Sequence, residues 1–264
     1  MLVSRKNYIW VTGCILFLLL TALPVLAQTS MSEKSLAADS VIADTFQAGT
    51  GLPVGKIQSV RGETIIFHRD PSVGYRAKAG LPLYQGDILQ TRHNSRILCR
   101  LVDGSRLTMA PGAMLTLLQS NSNSARKSSV SFLSLKQGGV RFYVNPKPEL
   151  SAFEFKVQTE TAIVQAQAAD FIINAKSGNT EILAFDNSRL EVTSLAEPEE
   201  IHFLSDYQRI VVRPEAGAPL VETVSAIDAE VLMTEFRLVP DNKLFASGST
   251  NSRAQEISEE TLED

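Results

Sequence analysis

The sequence predicts an all-β fold, either an antiparallel sandwich or a short stacked-hairpin solenoid, with one amphipathic helix near the C-terminal end. Three observations predict it. Turn pairs recur at short intervals, at Gly86-Asp87, Asp103-Gly104, Pro111-Gly112 and Gly138-Gly139. Gly tolerates positive φ and Asp bonds its own backbone, so such pairs reverse a chain sharply. Between them run short stretches in which apolar and polar residues alternate, the period of a strand. No helical period interrupts this pattern until the region of Val224.

Each element follows in order. Ile57 and Val60 precede a turn at Arg61-Gly62-Glu63, and Thr64 to Phe67 is rich in β-branched residues. Gly74 to Gly80 reads as a basic loop leading to Leu83. Ser95 to Val102 alternates with Ile97, Cys99 and Leu101 on one face and Leu98 and Val102 on the other, which predicts a strand covered on both sides. Leu107 and Met109 follow, then Met114, Leu115 and Leu117. Gln119 to Ser129 is Ser- and Asn-rich and reads as an exposed loop. Val130 to Leu135 forms the next strand, Gly138-Gly139 turns it into Val140 to Val144, and Asn145-Pro146-Lys147-Pro148 breaks the run. Phe153 to Val157, Ile163-Val164, Phe171 to Ala175, Glu181 to Phe185, Leu190-Val192, His202-Phe203 and Ile210 to Val212 complete the β region. Ser225-Ala226-Ile227-Asp228 has the form of a capping box. The helix it opens carries Val224, Ile227 and Val231 on one face, expected to dock on its own domain, and Pro240 stops it.

The ends of the chain bear on compartment. Arg5 and Lys6 precede an apolar stretch, Ile9 to Leu26, that closes on Val25-Leu26-Ala27. That order is a secretory signal with cleavage expected after Ala27, giving a periplasmic or secreted protein. Two alternatives stay open: an uncleaved inner-membrane anchor, or a lipidated Cys14 within Val11-Thr12-Gly13-Cys14. The expected organisation is a signal peptide (1–27), a polar linker (28–53), a β domain (54–215), a helical segment (216–245) and a disordered acidic tail (246–264). The chain of 264 residues has 25 Lys+Arg and 29 Asp+Glu, a formal charge of −4. Removing Arg5 and Lys6 with the signal leaves 23 basic against 29 acidic residues, about −6. An acidic balance argues against nucleic acid or an anionic membrane surface as partner. Cleavage also leaves Cys99 alone, so no internal disulfide forms. Its strand spacing reads as a small buried apolar residue rather than a reactive thiol.

Chemistry finds little purchase. His68, His93 and His202 follow no ligand spacing. Glu199 and His202 lie three apart, but no second such pair accompanies them. Gly49, Gly51 and Gly55 follow no strand and open no helix, so the phosphate-cradling context is missing. The sequence nominates no catalytic, cofactor-binding or metal residue and no cofactor. Tyr75, Arg76 and Lys78, with Tyr84 near, form a candidate aromatic-basic surface patch for a sugar or acidic polymer; an ordinary solvated loop is the plainer reading.

The β run resembles the FecR domain, the extracytoplasmic domain of ferric-citrate-type regulators and of stand-alone envelope proteins. The residues that carry the resemblance begin with Gly55-Lys56-Ile57 and Gly62. Gly86-Asp87-Ile88 with Thr91 follows, then Asp103-Gly104-Ser105 with Leu107. Gly138 with Val140 and Phe142, and Phe155-Val157-Thr159, complete it, over Val54 to about Val192. One departure is Ala168-Ala169-Asp170-Phe171, where the family shows Gly-Thr before an aromatic or apolar residue. The family's membrane regulators hold a sigma factor on a cytoplasmic segment. Only about eight residues precede the apolar stretch here, too few to bury a partner's surface.

The resemblance therefore implies an exported non-enzymatic module of the cell envelope, acting as sensor, scaffold or protein-interaction module. It would present Gly74–Gly80 and Gln119–Ser129 to an envelope protein. Two other readings stay open: a protein that binds cell-wall glycan or another polysaccharide, and a membrane-anchored signalling regulator working with a separate partner. The membrane enters only if the N-terminal segment stays uncleaved or lipidated.

Overall fold

Alternating apolar residues drive this chain into strands that bury one face each. The computed structural model describes residues 40–238, apart from 69–71, 124, 146–148, 216 and 218. The expected signal peptide, its cleavage point, Cys14, Pro240 and the acidic tail lie outside the described residues. The strands are β1 (Val41–Ala43), β2 (Gly55–Arg61), β3 (Thr64–Phe67), β4 (Val73–Arg76), β5 (Pro82–Leu83) and β6 (Ile88–Thr91). β7 (Arg96–Leu101), β8 (Arg106–Met109), β9 (Met114–Asn123), β10 (Ser128–Val144), β11 (Ala152–Gln158) and β12 (Ala162–Ala166) follow. Last come β13 (Ala169–Lys176), β14 (Asn179–Ala184), β15 (Leu190–Ser194), β16 (Ile201–Leu204), β17 (Gln208–Val212) and β18 (Val221–Thr223). A helix α1 (Ala226–Met233) and a 3₁₀ turn (Thr234–Phe236) end the described chain.

The strands form two sheets. Sheet A runs β1-β4-β3-β6-β9-β10-β11-β12-β15-β16. Sheet B runs β5-β2-β7-β8-β10-β13-β14-β17-β18. From β7 onward the chain lays down pairs of strands alternately in one sheet and the other, and both sheets grow in the same direction. The path is that of stacked hairpins and the cross-section is that of a sandwich. The sheets stay open and do not close into a barrel. Almost all pairings are antiparallel; β1–β4 and β10–β11 are parallel.

The core lies between the sheets. Phe142 of sheet B stacks on Phe171 at 5.2 Å and meets Phe155 of sheet A edge-on at 5.9 Å. Ile97, Cys99, Leu107, Val140, Val164, Ile173, Ile182, Val192 and Ile210 are fully buried around them. Each such apolar side chain stabilises the fold by about 1.5–3 kcal/mol relative to exposure.

Four expectations are corrected. Gly138-Gly139 is not a hairpin turn. β10 runs unbroken through it for 17 residues, pairing with β9 and β11 in sheet A before Gly138 and with β8 and β13 in sheet B after it. Gly138 has φ 82°, and a Cβ there would lie 2.5 Å from Ala113 Cα, so the bend that carries the strand between sheets needs glycine. Because β10 leaves sheet A there, β11 re-enters beside it in the same direction, and one parallel pairing results. Gln119 to Ser129 is a loop only at the exposed turn 125–127: residues 119–123 end β9 and 128–129 begin β10, with Ser120 and Ser129 buried. Its Ser and Asn residues bond across the pair, Ser129 Oγ donating to the Asn121 carbonyl at 2.9 Å.

The other two corrections concern covering. β7 is buried on its Ile97, Cys99 and Leu101 face, while Leu98 on the outer face is half-buried. α1 is capped as expected, the Ser225 hydroxyl accepting from the Asp228 amide. It docks on its own domain through Ala229, Met233 and the following Phe236, against Ala110, Ile172, Leu183 and Phe185. Of the stripe expected to be buried, Val224 packs on this cluster, while Ile227 and Val231 are turned away, 78% and 62% exposed. Helix direction is decided by where Phe236 finds a hole beside Gly139, and a short helix has little choice once one end is pinned.

Candidate interaction face

The turn residues named from sequence converge on structural tasks. Asp103 is buried at the β7–β8 turn. Its Oδ1 accepts the Ser105 amide at 2.7 Å and its Oδ2 accepts the Ser131 hydroxyl at 2.6 Å. One carboxylate thus closes a turn of sheet B and ties it to β10 in sheet A, while Gly104 supplies the positive φ of 99° that the turn requires. Ser105 is buried beside it, its hydroxyl without a hydrogen-bond partner among the described residues. Thr91, also buried, holds the Pro111-Gly112 turn: its hydroxyl donates to the Ala110 carbonyl at 2.7 Å and accepts the Ala113 amide at 2.8 Å. Gly138 packs on the same Ala113. Gly86 donates its amide to the Leu117 carbonyl at 2.7 Å.

Asp87 does more than close its turn. Its Oδ2 accepts the Tyr84 amide at 2.8 Å, and its Oδ1 lies 2.7 Å from His68 Nδ1. The other ring nitrogen of His68, Nε2, lies 2.8 Å from the Gln47 carbonyl. A carbonyl only accepts, so Nε2 carries a proton, and a further proton lies between Nδ1 and the carboxylate. Burial pushes the Asp87 carboxyl above the usual carboxylate range, against the opposing pull of His68 and the Tyr84 amide. Phe46, Tyr75 and Tyr84 surround the imidazole at 5.2–5.6 Å. Part of the stretch expected to be a polar linker is therefore built into the fold: β1 pairs with β4, and Phe46 packs on His68 and Tyr75.

This arrangement removes the aromatic-basic patch predicted from Tyr75, Arg76, Lys78 and Tyr84. Tyr75 and Tyr84 are buried in the His68 cluster, Gly74 and Tyr75 belong to β4 rather than to a loop, and Arg76 pairs with Glu63 at 3.1 Å. Alternation along β4 sends Tyr75 inward and Arg76 outward, so the two cannot share a surface. The neighbours suggested by Glu199 and His202 also shift, since His202 Nε2 lies 3.7 Å from Glu200. Among the described residues no group of three or more His, Cys, Asp or Glu side chains is placed to hold a metal ion. Burial pushes the Cys99 thiol far up.

The outer face of sheet B carries a feature that sequence reading missed. Lys56 of β2 lies opposite Arg100 of β7, Arg100 opposite Arg106 of β8, and Arg106 opposite Tyr143 of β10. The three cations thus stand in one cross-strand row, about 4.8 Å from strand to strand. All three are exposed. None has an ion-pair partner among the described residues. The Arg106 guanidinium lies 4.4 Å over the Tyr143 ring, which holds it in place. Beside the row, Arg106, Arg141, Tyr143, Thr108 and Leu98 line a shallow depression of about 220 Å³. Arg141 is already committed, forking onto Asp170 at 2.8 and 2.6 Å. Its pKa is raised chiefly by that hydrogen bond. Like charges directly opposite each other destabilise a sheet, so the row carries a local positive field in a net acidic chain. The positions 56, 100 and 106 alternate outward on three separate strands, and only the register brings them together.

Comparison with known proteins adds the following. The model of the family described as FecR protein matches residues 87–188. That span contains the Asp87–Thr91, Asp103–Ser105 and Gly138 positions; the strands before Asp87 lie outside it. Two crystal structures of a provisionally assigned anti-sigma factor from Parabacteroides distasonis ATCC 8503, at 1.65 and 2.50 Å resolution, are similar at 17% identity and a TM-score of 0.45. The alignment covers 61% of this chain and 72% and 71% of theirs. No curated protein matches the sequence.

Proposed function

We propose that this chain, whose residues 87–188 match the FecR family, is a non-enzymatic signalling regulator or scaffold of the bacterial cell envelope that binds a protein partner through the outer face of sheet B. The observation that carries the reading is the row of Lys56, Arg100 and Arg106, exposed and without carboxylate partners among the described residues. An open sheet face with three cations aligned across its strands suits an extended acidic peptide. Successive carboxylates on one side of an extended strand recur every ~6.8 Å, and side chains as long as Lys and Arg bridge the difference from the strand spacing. Recognition of this kind sets orientation and encounter rate more than raw affinity, and weakens with salt.

Export is part of the proposal: Met1–Ala27 directs the chain across the inner membrane and is removed, so the face meets envelope proteins. Crosslinking of the full chain in cells tests both halves. The expected adduct is a protein crosslinked through an acidic stretch, lost in the double variant Arg100→Glu/Arg106→Glu, and the recovered chain begins at Gln28. Adducts with wall glycan alone would replace this reading with polysaccharide binding. A chain retaining Met1–Ala27 would make it a membrane-anchored regulator.

A further inference from the structure

We infer that the segment Val41–Gln47 is a proton-controlled strap: it closes over the edge of sheet A while the His68–Asp87 pair holds a shared proton, and loosens when that proton leaves for solvent. The device lies apart from the sheet B face and does not depend on it. Three contacts hold the strap. β1 pairs in parallel with β4, the Val41 amide donating to the Ser72 carbonyl at 2.9 Å. Ile42 packs on Ile65 and Phe67, which are fully buried. Phe46 meets the rings of His68 and Tyr75 edge-on at 5.4 and 5.6 Å, and the Gln47 carbonyl lies 2.8 Å from His68 Nε2. Val41, Asp44, Thr45 and Gln47 are exposed. A short parallel pairing with two anchoring side chains belongs to the low-stability end of a fold, so one hydrogen bond weighs on its opening equilibrium.

The hydrogen bonds fix the proton count. A carbonyl only accepts, so closure needs a proton on Nε2. Asp87 Oδ1, 2.7 Å from Nδ1, needs a second one, shared between carboxylate and ring. When the pair gives up one proton, a single proton serves two acceptors. Retained on Nε2, it leaves the Nδ1 lone pair facing the carboxylate. Moved to Nδ1, it leaves the Nε2 lone pair facing the Gln47 carbonyl. The two losses are unequal. Asp87 is 1% exposed, and an ionised carboxylate so placed has little water to replace the ring N–H. Gln47 is exposed, so its carbonyl is rehydrated once the strap lifts. The proton therefore stays with Asp87, and the strap contact gives way.

Among the described residues, the titratable groups facing the imidazole are Asp87, Tyr75 of β4 and Tyr84, with the tyrosine rings at 5.2 and 5.6 Å. Asp44 of the strap is exposed, and Arg76 points outward to Glu63. Burial acts in the same direction as the geometry: it raises the Asp87 carboxyl and so favours the form in which the pair keeps its proton. The closed strap binds one proton more than the open one. Closure is therefore complete at lower pH and is lost as pH rises, by up to about tenfold in the closed-to-open ratio per pH unit. Opening leaves β4 unpaired on that side and uncovers Ile65, Phe67 and Tyr75, so the surface offered at this end of sheet A changes with pH.

Hydrogen exchange of the full chain tests this, read by mass spectrometry and corrected for the intrinsic rate at each pH. The interval runs from roughly pH 5 to roughly pH 8, in which an ordinary histidine changes charge. Protection of residues 41–47 is expected to fall about tenfold or more across it, as the loss of one charge-assisted hydrogen bond implies, while β8 and β10 keep theirs. Asp87→Asn is the decisive variant. Its amide oxygen can accept the Tyr84 amide and its NH₂ can donate to Nδ1, which leaves the proton of a neutral imidazole on Nε2 for Gln47. Its strap is expected to stay protected, within about twofold, at both ends of the interval. His68→Phe keeps a ring in the cluster and removes both hydrogen bonds, so its strap is expected to be weakly protected throughout. Wild-type protection of 41–47 that is flat across the interval overturns the inference. A fall of equal size in Asp87→Asn or in His68→Phe overturns it as well. None of these outcomes bears on Arg100 and Arg106, which the crosslinking experiment tests separately.

Discussion

Replacing Asp103 by Ala removes the carboxylate that ties the β7–β8 turn to β10. Two buried donors lose their acceptor: the Ser105 amide, bonded at 2.7 Å, and the Ser131 hydroxyl, bonded at 2.6 Å. A buried donor left unsatisfied costs about 1–3 kcal/mol. The Ser131 hydroxyl has an escape, because Ser120 Oγ lies 3.1 Å away and can accept instead; the Ser105 amide lies in a tight turn and cannot reorient. Loss of the carboxylate also relieves the cost of burying it, which offsets part of the penalty. The net expectation is a loss of about 2–4 kcal/mol. Asp103→Asn keeps an oxygen for the Ser105 amide and presents an NH₂ to which Ser131 can turn a lone pair, so about 1 kcal/mol is expected. Urea unfolding followed by far-UV circular dichroism and tyrosine fluorescence reads both, as a midpoint shift of about 1 M or more for Ala with an unchanged slope. An Ala variant within 0.5 kcal/mol of wild type would refute the reasoning. An Asn variant as damaged as Ala would also refute it, since charge rather than acceptor count would then be decisive.

Three further outcomes are expected. Gly138→Ala places a Cβ 2.5 Å from the Ala113 backbone at φ 82°, so about 2–5 kcal/mol of stability is lost, readable as a lower thermal midpoint; an unchanged midpoint would show that β10 can bend without glycine. The Asp87 carboxyl is raised above its ordinary value of 3.8 by burial, so its stabilising contribution is complete below that value and is lost as pH rises through the raised one. The wild-type urea midpoint should therefore fall relative to that of Asp87→Asn as pH rises above 3.8, and a rise with pH contradicts the burial argument. Cys99 is fully buried with its thiol pushed up, so a maleimide should label it only at the rate of unfolding, and fast labelling of the native protein would place it elsewhere.

Much of the β architecture was legible in the chain because it is local chemistry. Asp103-Gly104-Ser105 turns wherever it is placed, since the acceptor and the amide it closes on are two residues apart. The Ser225 cap is equally local. Gly138-Gly139 misled because a glycine with positive φ serves a hairpin turn and a mid-strand bend alike, and only the partners on either side of β10 distinguish them. Tyr75 and Tyr84 misled because exposure was inferred from the polar neighbours Arg76 and Lys78, while a strand sends successive side chains to opposite faces. The site itself was scarcely legible. Lys56, Arg100 and Arg106 are unremarkable singly, and nothing in their spacing announces that they meet.

The sequence alone determined the class of fold, the places of its tightest turns, the cap of its helix and the resemblance to the FecR domain, because each depends on residues within a few positions of one another. Tertiary structure decided which strand switches sheets, that His68 links Asp87 to the backbone at Gln47, which face of α1 is buried, and that three cations share one row. Those outcomes depend on strand register and on packing between residues far apart in the chain, and a side chain's surroundings are set by the partners the fold brings to it.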